Sequence, residues 1–321
     1  MKHALRSALI LLAWAGLLLH GAARAQAASC PPTAAAPTPE QVQQGVRDAK
    51  DRGFLWRIRK DGRASYLYGT VHVAKLAWIF PGPAVSQAMQ ASDTLALELD
   101  VLDPDVQLRM TAGAAAAPGS ALPANLQQRM DRQARAECVP PQALLGLQPE
   151  MQVAALTTLV GRRDGLDPAY GIDAVLAGWA RGVGKPVVSL ETPELQLRTL
   201  SGTTRAETLE FVDSALKDME SGRAAPGLLR VAQTWADGDL AALNHYEDWC
   251  DCMRTSADRA AMARMLDDRN PALADRIAAL HADGQRVFAA VGSLHMTGPL
   301  GLPAQMAQRG FVVEPVAFGR R

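Results

Sequence analysis

The chain has 321 residues, of which 48% are hydrophobic, and its 33 basic residues are balanced by 33 acidic ones. This balance argues against nucleic acid and against an anionic membrane surface as partners, because binding to either needs an excess of basic residues. The hydrophobic content is enough for a sizeable core in one large domain or two small ones.

The first 27 residues have the pattern of a secretory signal peptide. Lys2 and Arg6 precede an apolar run over residues 8–19, and small residues up to Ala27 offer a cleavage site. The run is too short to span a bilayer, and no later segment is long and apolar enough to do so. We therefore expect a soluble protein of the periplasm or the cell exterior.

Cys30 offers a second processing route. A small-residue stretch ends at this cysteine, as in lipoproteins, although Ala27 stands where leucine is usual, so a lipid anchor at Cys30 is the alternative to a soluble product. With Cys138, Cys250 and Cys252 the count is even, which predicts disulfides in an oxidising compartment. Cys250 and Cys252 are too close in sequence for an easy mutual bridge. We therefore expect each of them to pair elsewhere or to stay free and buried.

The chain after the signal opens with a leader and a hairpin. Residues 28–38 are rich in proline and alanine, which predicts a flexible leader, and we expect residues 39–321 to form a single domain that begins with a short helix. Strands over 54–59 and 65–71 flank Asp61-Gly62, a pair typical of a type I′ hairpin turn.

The rest of the chain predicts a helical middle between short strands. Helices are expected at 83–91, 104–117, 123–136, 140–147, 150–161, 169–185 and 302–309, with further helices over 193–283. Strands are expected at 94–99, 186–190, 286–291 and 311–316. This order predicts an α/β (α+β) fold in which an α-rich insertion covers a central mixed sheet.

Two segments share the pattern Gly-x-x-His directly after a predicted strand, at Gly69–His72 and at Gly292–His295. Glycine at a strand end allows a tight turn and a close approach of the backbone. A histidine three residues later lies at the carboxyl edge of the sheet, where open α/β sheets bind ligands. A surface or capping role is the alternative for either histidine alone, but the matched pair favours a shared site.

The two motifs belong to a longer resemblance within the chain. A strand, Gly-x-x-His, a loop with proline, a short helix and a strand with glutamate occur at 65–99 and again, in shorter form, at 286–316. This indicates an ancient duplication, so that two related halves contribute neighbouring strands to one sheet.

Carboxylates stand at two further strand ends. Glu98 ends an apolar strand, where a buried carboxylate needs a metal, a histidine or an arginine as partner, and Asp100 is a weaker candidate on the same face. Glu191 is either a site residue or an acid near the start of the following helix. Glu314 is the counterpart of Glu98 in the second copy and is interpreted as structural.

The predicted site allows two kinds of chemistry. His72, Glu98 and His295, with Glu191 as a further candidate, suit a borderline divalent cation such as Mn²⁺, Co²⁺ or Zn²⁺, which would polarise a carbonyl and acidify a bound water. The same residues could work without metal, with a histidine or Glu98 as general base. The residues alone leave both open.

Several other polar residues were assigned by their local pattern. Arg269 could bind a substrate carboxylate or an oxyanion, or form a surface ion pair. Asn270 before Pro271 predicts a helix N-cap. Asp173 is interpreted as a structural residue in the first turn of a helix. His245 and His281 lie on helical segments and are expected at the surface.

Five blocks of the chain, in order, resemble the TraB/GumN family, which is similar to the Tiki proteases. They are "SYLYGTVHVAK", "LALELD", "GIDAVLAGWARGVGKPVVSLETPELQLRTL", "DDRNPALADRI" and "VFAAVGSLHMTGPLGLPAQMAQRGFVVEPV". The resemblance implies an α/β fold of two related halves. It also implies a site of His72, Glu98 and His295, with Arg269 and Asn270 as the family's Arg-Asn pair.

Two functions follow from this resemblance. The first is an exported hydrolase, metal-dependent and peptidase-like, with a peptide or protein substrate; Gly69, Gly292 and Asn270 would then contact the substrate. The family is also similar to erythromycin-esterase-like hydrolases, and this wider resemblance implies hydrolysis by His and Glu without an obvious metal. The second is a non-catalytic envelope protein that binds a peptide, haem or another ligand in the same cleft.

Overall fold

The computed structural model describes residues 30–253 and 255–319, with the backbone alone at Ala257, and the predicted signal peptide lies outside these residues. Six strands are present in this part of the chain and form one sheet. They are Phe54–Lys60 (β1), Arg63–Thr70 (β2), Thr94–Leu97 (β3), Val187–Ser189 (β4), Val287–Gly292 (β5) and Val312–Pro315 (β6).

Helices connect the strands and fill the middle of the chain. They are Pro39–Arg47 (α1), Pro83–Ala91 (α2), Pro104–Ala114 (α3), Ala124–Ala136 (α4), Pro149–Leu159 (α5), Ile172–Gly182 (α6), Pro193–Leu200 (α7), Arg205–Glu220 (α8), Ala224–Ala236 (α9), Leu240–Asn244 (α10), Ser256–Met265 (α11), Asn270–Ala282 (α12) and Leu302–Gln308 (α13). Of the helices described, none has the length and apolar character that crossing a bilayer requires.

The first two strands form the predicted hairpin. β1 and β2 pair antiparallel from Phe54 opposite Gly69 to Lys60 opposite Arg63. Asp61 and Gly62 in the turn both have positive φ angles, 51° and 74°, as a type I′ turn requires. The Asp-Gly signal was therefore sufficient to predict this part of the fold.

The strand order is β4-β3-β5-β2-β1-β6, and β4, β3, β5 and β2 are mutually parallel. β5 lies directly beside β2, with Thr70 opposite Gly292. The two strands that precede the Gly-x-x-His motifs are thus neighbours, as the internal resemblance predicted. The mixed α/β architecture predicted from the order of elements is confirmed.

The two crossovers run in opposite directions from this central pair. The chain leaves β2, passes through α2 and enters β3 beyond β5, whereas it leaves β5, passes through α13 and enters β6 beyond β2 and β1. Parallel-strand crossovers are right-handed, so opposite directions place their helices on opposite faces. The point between two such crossovers is where open sheets bind ligands.

The middle of the chain forms a second apolar cluster away from the sheet. Helices α4, α5 and α8 pack around buried residues such as Met130, Leu156 and Leu216. By contrast, α6 packs against β3 and β4, and its buried Leu176 belongs to the core of the sheet. Of the strands that carry the site, β3 and β4 contact α6, and β5 contacts α12.

Two sequence-based expectations, one about a helix and one about the cysteines, were wrong. Residues 140–147 form only a short 3₁₀ turn at Pro141–Ala143, because consecutive prolines at 140 and 141 remove helical N–H donors. Cys250 and Cys252 bond to each other, with their Cα atoms 5.0 Å apart, and Asp251 between them takes a positive φ of 53°. No cysteine in the described part of the chain is free.

His281 was expected at the surface but is only 1% exposed. Its Nδ1 lies 2.9 Å from the Ser65 hydroxyl and its Nε2 lies 3.0 Å from the Lys60 carbonyl oxygen, so both ring nitrogens have partners. The Ser65 hydroxyl in turn accepts the Val287 N–H. This histidine is a structural link between α12 and the hairpin, whereas His245 is exposed as expected.

Candidate active site

The carboxyl ends of the four parallel strands bring the predicted residues to one edge of the sheet. His72 follows β2, Glu98 follows β3, Glu191 follows β4 and His295 follows β5. Arg269 reaches this edge from the turn just before α12. Five predicted residues that are far apart in sequence thus meet at the topological switch point of the sheet.

Glu98 is the buried carboxylate of the site and is 6% exposed. Its Oε1 accepts the Gly292 N–H at 2.7 Å, and its Oε2 accepts a hydrogen bond from Arg269 Nη2 at 2.5 Å. Burial alone would raise the pKa of Glu98, but the neighbouring His295, His72 and Arg269 side chains and the Gly292 N–H lower it to about 2. Glu98 is therefore ionised at neutral pH.

Arg269 connects the buried groups to one another. Its Nε donates to Glu191 Oε1 at 2.9 Å, and its Nη2 donates to the second oxygen of Glu191 and to Glu98. Its Nη1 donates to the Met265 carbonyl at 2.8 Å and to His295 Nε2 at 3.2 Å. Burial opposes the charge of Arg269, but the two carboxylates outweigh it and raise the pKa. All five N–H groups of the guanidinium therefore have protein partners.

His295 is held as a neutral imidazole. It is 3% exposed, and burial lowers its pKa to about 4 despite the opposing charge of Glu98. Its Nδ1 lies 2.7 Å from Asn270 Oδ1, while the Asn270 amide nitrogen donates to the Leu300 carbonyl at 3.0 Å. Since Nε2 faces a donor on Arg269, we infer that the single ring proton is on Nδ1.

His72 has the opposite environment. Its side chain is 67% exposed, and its Nδ1 lies 2.8 Å from Asp173 Oδ2, at the start of α6. The other oxygen of Asp173 accepts a hydrogen bond from Thr70 Oγ1 at 2.6 Å, which fixes the carboxylate. The Asp173 charge raises the pKa of His72 to about 9. His72 is therefore protonated at neutral pH, with Nε2 turned away from Asp173.

Gly292 marks the point at which these groups converge. A Cβ atom placed on Gly292 would lie 3.2 Å from Glu98 Oε1, 3.6 Å from His72 Nε2 and 3.7 Å from His295 Cδ2. The small space over this glycine is thus bordered by a carboxylate, an exposed imidazolium and a buried imidazole. Even a methyl group at residue 292 would crowd Glu98 Oε1, so glycine is required where these groups approach one another.

Two predicted substrate contacts lie elsewhere. A Cβ on Gly69 would meet Ser293 Oγ at 3.0 Å and Phe54 at 3.3 Å, so this glycine packs against the protein rather than facing the space over Gly292. Asn270 is 1% exposed and was predicted as an N-cap. The N-cap of α12 is instead Arg269, and the Asn270 side chain is committed to His295.

Sequence reasoning missed two residues of the site. Asp173 was interpreted as structural, although it is the partner of His72; its place in the first turn of a helix is compatible with either role. Gln196 in α7 places its amide nitrogen 3.3 Å from Glu98 Oε2 and 3.4 Å from Glu191 Oε2. A single glutamine on an amphipathic helix gives no signal in one sequence. Asp100, the weaker candidate, pairs with Arg181 instead.

The three predicted metal ligands do not fit a metal ion in this arrangement. Glu98 Oε2 accepts hydrogen bonds from both Arg269 and Gln196, and His295 Nε2 faces an N–H of Arg269, so neither atom is free to bind a cation. In the part of the chain described, no three His, Cys, Asp or Glu side chains are grouped so that they could hold a metal ion. A cation would also have to displace the guanidinium that bridges the two carboxylates.

The sequence model of the TraB/PrgY/gumN family matches residues 54–315, from the first residue of β1 to the last residue of β6. Searches of curated proteins and of solved structures found no match. The matched range contains every residue of the site described above.

Proposed function

The chain belongs to the TraB/PrgY/gumN family, and from this premise and the geometry of the site we propose that it is an exported hydrolase of peptides or proteins. The observation that carries the proposal is the convergence over Gly292, where Glu98 Oε1 and His72 Nε2 both lie within 4 Å of one point. An ionised carboxylate and a protonated imidazole on either side of a small space form an acid–base pair.

In the proposed reaction a water over Gly292 attacks the carbonyl carbon of the substrate while Glu98 accepts one of its protons. The bond from carbon to nitrogen then breaks, and the Nε2–H of His72 protonates the departing amine. The proton held by Glu98 passes through solvent to His72, which restores the resting state. The products are a carboxylic acid and an amine, so one water is consumed for each bond cleaved.

The remaining residues position this pair. Asp173 orients His72 and favours its protonated form, as the carboxylate partner of a catalytic histidine does. Arg269 has no N–H left for an oxyanion, so in the proposal it fixes Glu98, Glu191 and His295 instead of binding the substrate. His295 serves as a neutral buried support for the guanidinium.

The divalent metal expected from the sequence is not part of this proposal, because Glu98 Oε2 and His295 Nε2 already have protein partners. Export to the periplasm or the cell exterior is likewise part of the proposal and is supported by the signal-peptide pattern of the first 27 residues. A lipid anchor at Cys30 is the variant of that proposal that would keep the protein at a membrane surface.

The test is hydrolysis of a quenched fluorescent peptide library by the purified protein, with and without a chelator. We expect turnover that survives chelation and is lost in His72→Ala and in Glu98→Gln, because each removes one member of the acid–base pair. His245→Ala is the matched control, since His245 is an exposed histidine outside the site.

Turnover that persists in both site variants would contradict the assignment. Turnover that disappears with chelator and returns with Mn²⁺, Co²⁺ or Zn²⁺ would support the metal-dependent reaction instead. Binding of peptide or haem without any turnover would favour the non-catalytic envelope protein.

A further inference from the structure

The leader of the chain is hydrogen-bonded to a loop beside the site. The Ala34 N–H donates to Asp167 Oδ2 at 3.3 Å, and the Ala35 N–H donates to the Tyr170 hydroxyl at 3.0 Å. The Tyr170 hydroxyl in turn donates to the Ala35 carbonyl oxygen at 2.9 Å. One tyrosine hydroxyl thus pairs with both the N–H and the C=O group of Ala35.

The loop that holds the leader is fastened to the segment that carries His72. Asp167 and Ala74 exchange two backbone hydrogen bonds, of 2.9 and 3.3 Å. A Cβ on Gly171 would lie 2.6 Å from the His72 carbonyl oxygen, so the loop passes directly over the first motif. Tyr170 is also only three residues before Asp173, the partner of His72.

These contacts recognise main chain and not side chains. Ala35 is exposed, and Tyr170 and Asp167 engage backbone groups: the C=O that every residue supplies and the N–H that every residue except proline supplies. The segment "PPTAAAPTP" around Ala35 is rich in proline, which favours extended backbone before any contact forms. Such recognition suits an extended peptide of variable sequence.

We propose that Asp167 and Tyr170 form a subsite for the main chain of an extended peptide substrate next to His72, and that residues 34–35 of the same chain occupy it. This inference rests on the proposed function for the identity of the occupant as substrate. The leader then competes with substrate from within the chain, at the millimolar effective concentration typical of a short tether.

The test measures binding and not turnover. The probe is a fluorescent hexapeptide with the sequence of residues 33–38, Thr-Ala-Ala-Ala-Pro-Thr, and its affinity is measured by anisotropy. In Ala35→Pro the leader loses the N–H that Tyr170 accepts, so the subsite becomes free for the probe. We expect this variant to bind the probe at least about tenfold more tightly than the wild type.

Matched controls identify the contact responsible. Ala36→Pro makes the same substitution one residue later, where the structure shows no hydrogen bond to Tyr170, and should bind like the wild type. Adding Tyr170→Phe to Ala35→Pro retains the ring but removes the hydroxyl, and should abolish the gain. A probe with proline at the position of Ala35 should not bind to any variant.

Equal affinities in Ala35→Pro and Ala36→Pro, or equal binding of the proline probe, would overturn the subsite. The proposed function can fail independently of the subsite. Probe binding without any peptide hydrolysis would support the subsite and contradict the hydrolase function. A rate of hydrolysis that is the same in the wild type, Ala35→Pro and Tyr170→Phe would support the hydrolase function and contradict the subsite.

Discussion

The two Gly-x-x-His segments have the same sequence pattern and lie on neighbouring parallel strands, yet they hold their histidines in opposite states. His72 is exposed and paired with a carboxylate, which raises its pKa to about 9. His295 is buried between an amide and a guanidinium, and burial lowers its pKa to about 4. The motif therefore determines the position of each histidine in the sheet, whereas the residues that contact it from other elements determine its protonation state.

The glycines of the two motifs differ in the same way. Gly69 packs against Ser293 and Phe54, and its carbonyl accepts the buried Trp235 indole N–H at 2.7 Å. Gly292 borders the space between Glu98 and His72. One glycine is needed for packing of the strands, and the other keeps the candidate site open.

Alanine at each glycine should separate these roles, and this is the largest effect that we expect. In Gly292→Ala the backbone is compatible, since φ is −48°, but the methyl group would lie 3.2 Å from Glu98 Oε1 and displace a charged group of the site, so kcat/KM should fall at least about 100-fold with a smaller loss of stability than in Gly69→Ala. In Gly69→Ala the crowding against Ser293 should lower the free energy of unfolding by about 1–3 kcal/mol. Urea unfolding measures the loss of stability, and hydrolysis of a fluorescent peptide measures the loss of kcat/KM. A larger loss of stability in Gly292→Ala than in Gly69→Ala would contradict the different roles of the two glycines.

Alanine at each histidine should affect stability unequally. His295→Ala leaves a cavity and deprives Asn270 and Arg269 of a buried partner, so the free energy of unfolding should fall by about 2–4 kcal/mol. His72→Ala removes an exposed ion pair that solvent screens, and the change should stay within about 0.5 kcal/mol. Both variants should abolish hydrolysis, so equal stabilities would mean that His295 does not support the site.

The pH dependence of hydrolysis follows from the charge states. Glu98, with a pKa of about 2, and His72, with a pKa of about 9, are both in the reactive form between these values. We expect kcat/KM to be level near neutral pH and to fall about tenfold per pH unit above about 9, as His72 loses its proton. A rate that instead rises through pH 9 would make His72 the base. The measurement is a pH series on one fluorescent peptide.

Asp173→Asn should move the alkaline limit of that profile. The variant keeps a hydrogen-bond acceptor for His72 but removes the charge, so the limit should move to lower pH. Asp100→Asn is the control, because this buried carboxylate at the same sheet edge pairs with Arg181 and not with a histidine. Identical profiles for the wild type and Asp173→Asn would show that Asp173 does not set the charge of His72.

The two histidines should also affect stability at opposite ends of the pH range. The folded-state pKa of His72 is raised, so its contribution is complete below its ordinary pKa of 6.5 and is lost as pH rises through about 9. The folded-state pKa of His295 is lowered, so its contribution is complete above 6.5 and is lost as pH falls through about 4. The difference in urea midpoint between the wild type and His72→Ala should therefore shrink as pH rises from about 6.5 to 9. The difference between the wild type and His295→Ala should shrink as pH falls from about 6.5 to 4, down to the part that comes from the cavity.

The sequence was informative where a local pattern has one physical cause. Strand ends marked by glycine located His72 and His295, and a carboxylate at the end of an apolar strand located Glu98. Asp61-Gly62 predicted the hairpin turn for the same reason. Each of these signals depends on a few adjacent residues.

Residues whose role depends on a distant partner could not be predicted in this way. Asp173 and Gln196 acquire their roles from groups about 100 residues away. His281 is buried because Ser65 and Lys60 supply its partners across the sheet. The bond between Cys250 and Cys252 was rejected on sequence spacing, and it forms because Asp251 adopts a positive φ angle.

The position of β5 in the sheet has a consequence for the order of folding. β5 lies between β3 and β2, but it is encoded almost 190 residues after β3, so a chain that ends before Val287 has β2 and β3 with no strand between them. Contacts of such high sequence separation form late. Gly292 and His295 also arrive with β5 and the turn that follows it. The candidate site is therefore assembled only after residues 287–295 have been synthesised, and a growing chain that has not reached them lacks two of its residues.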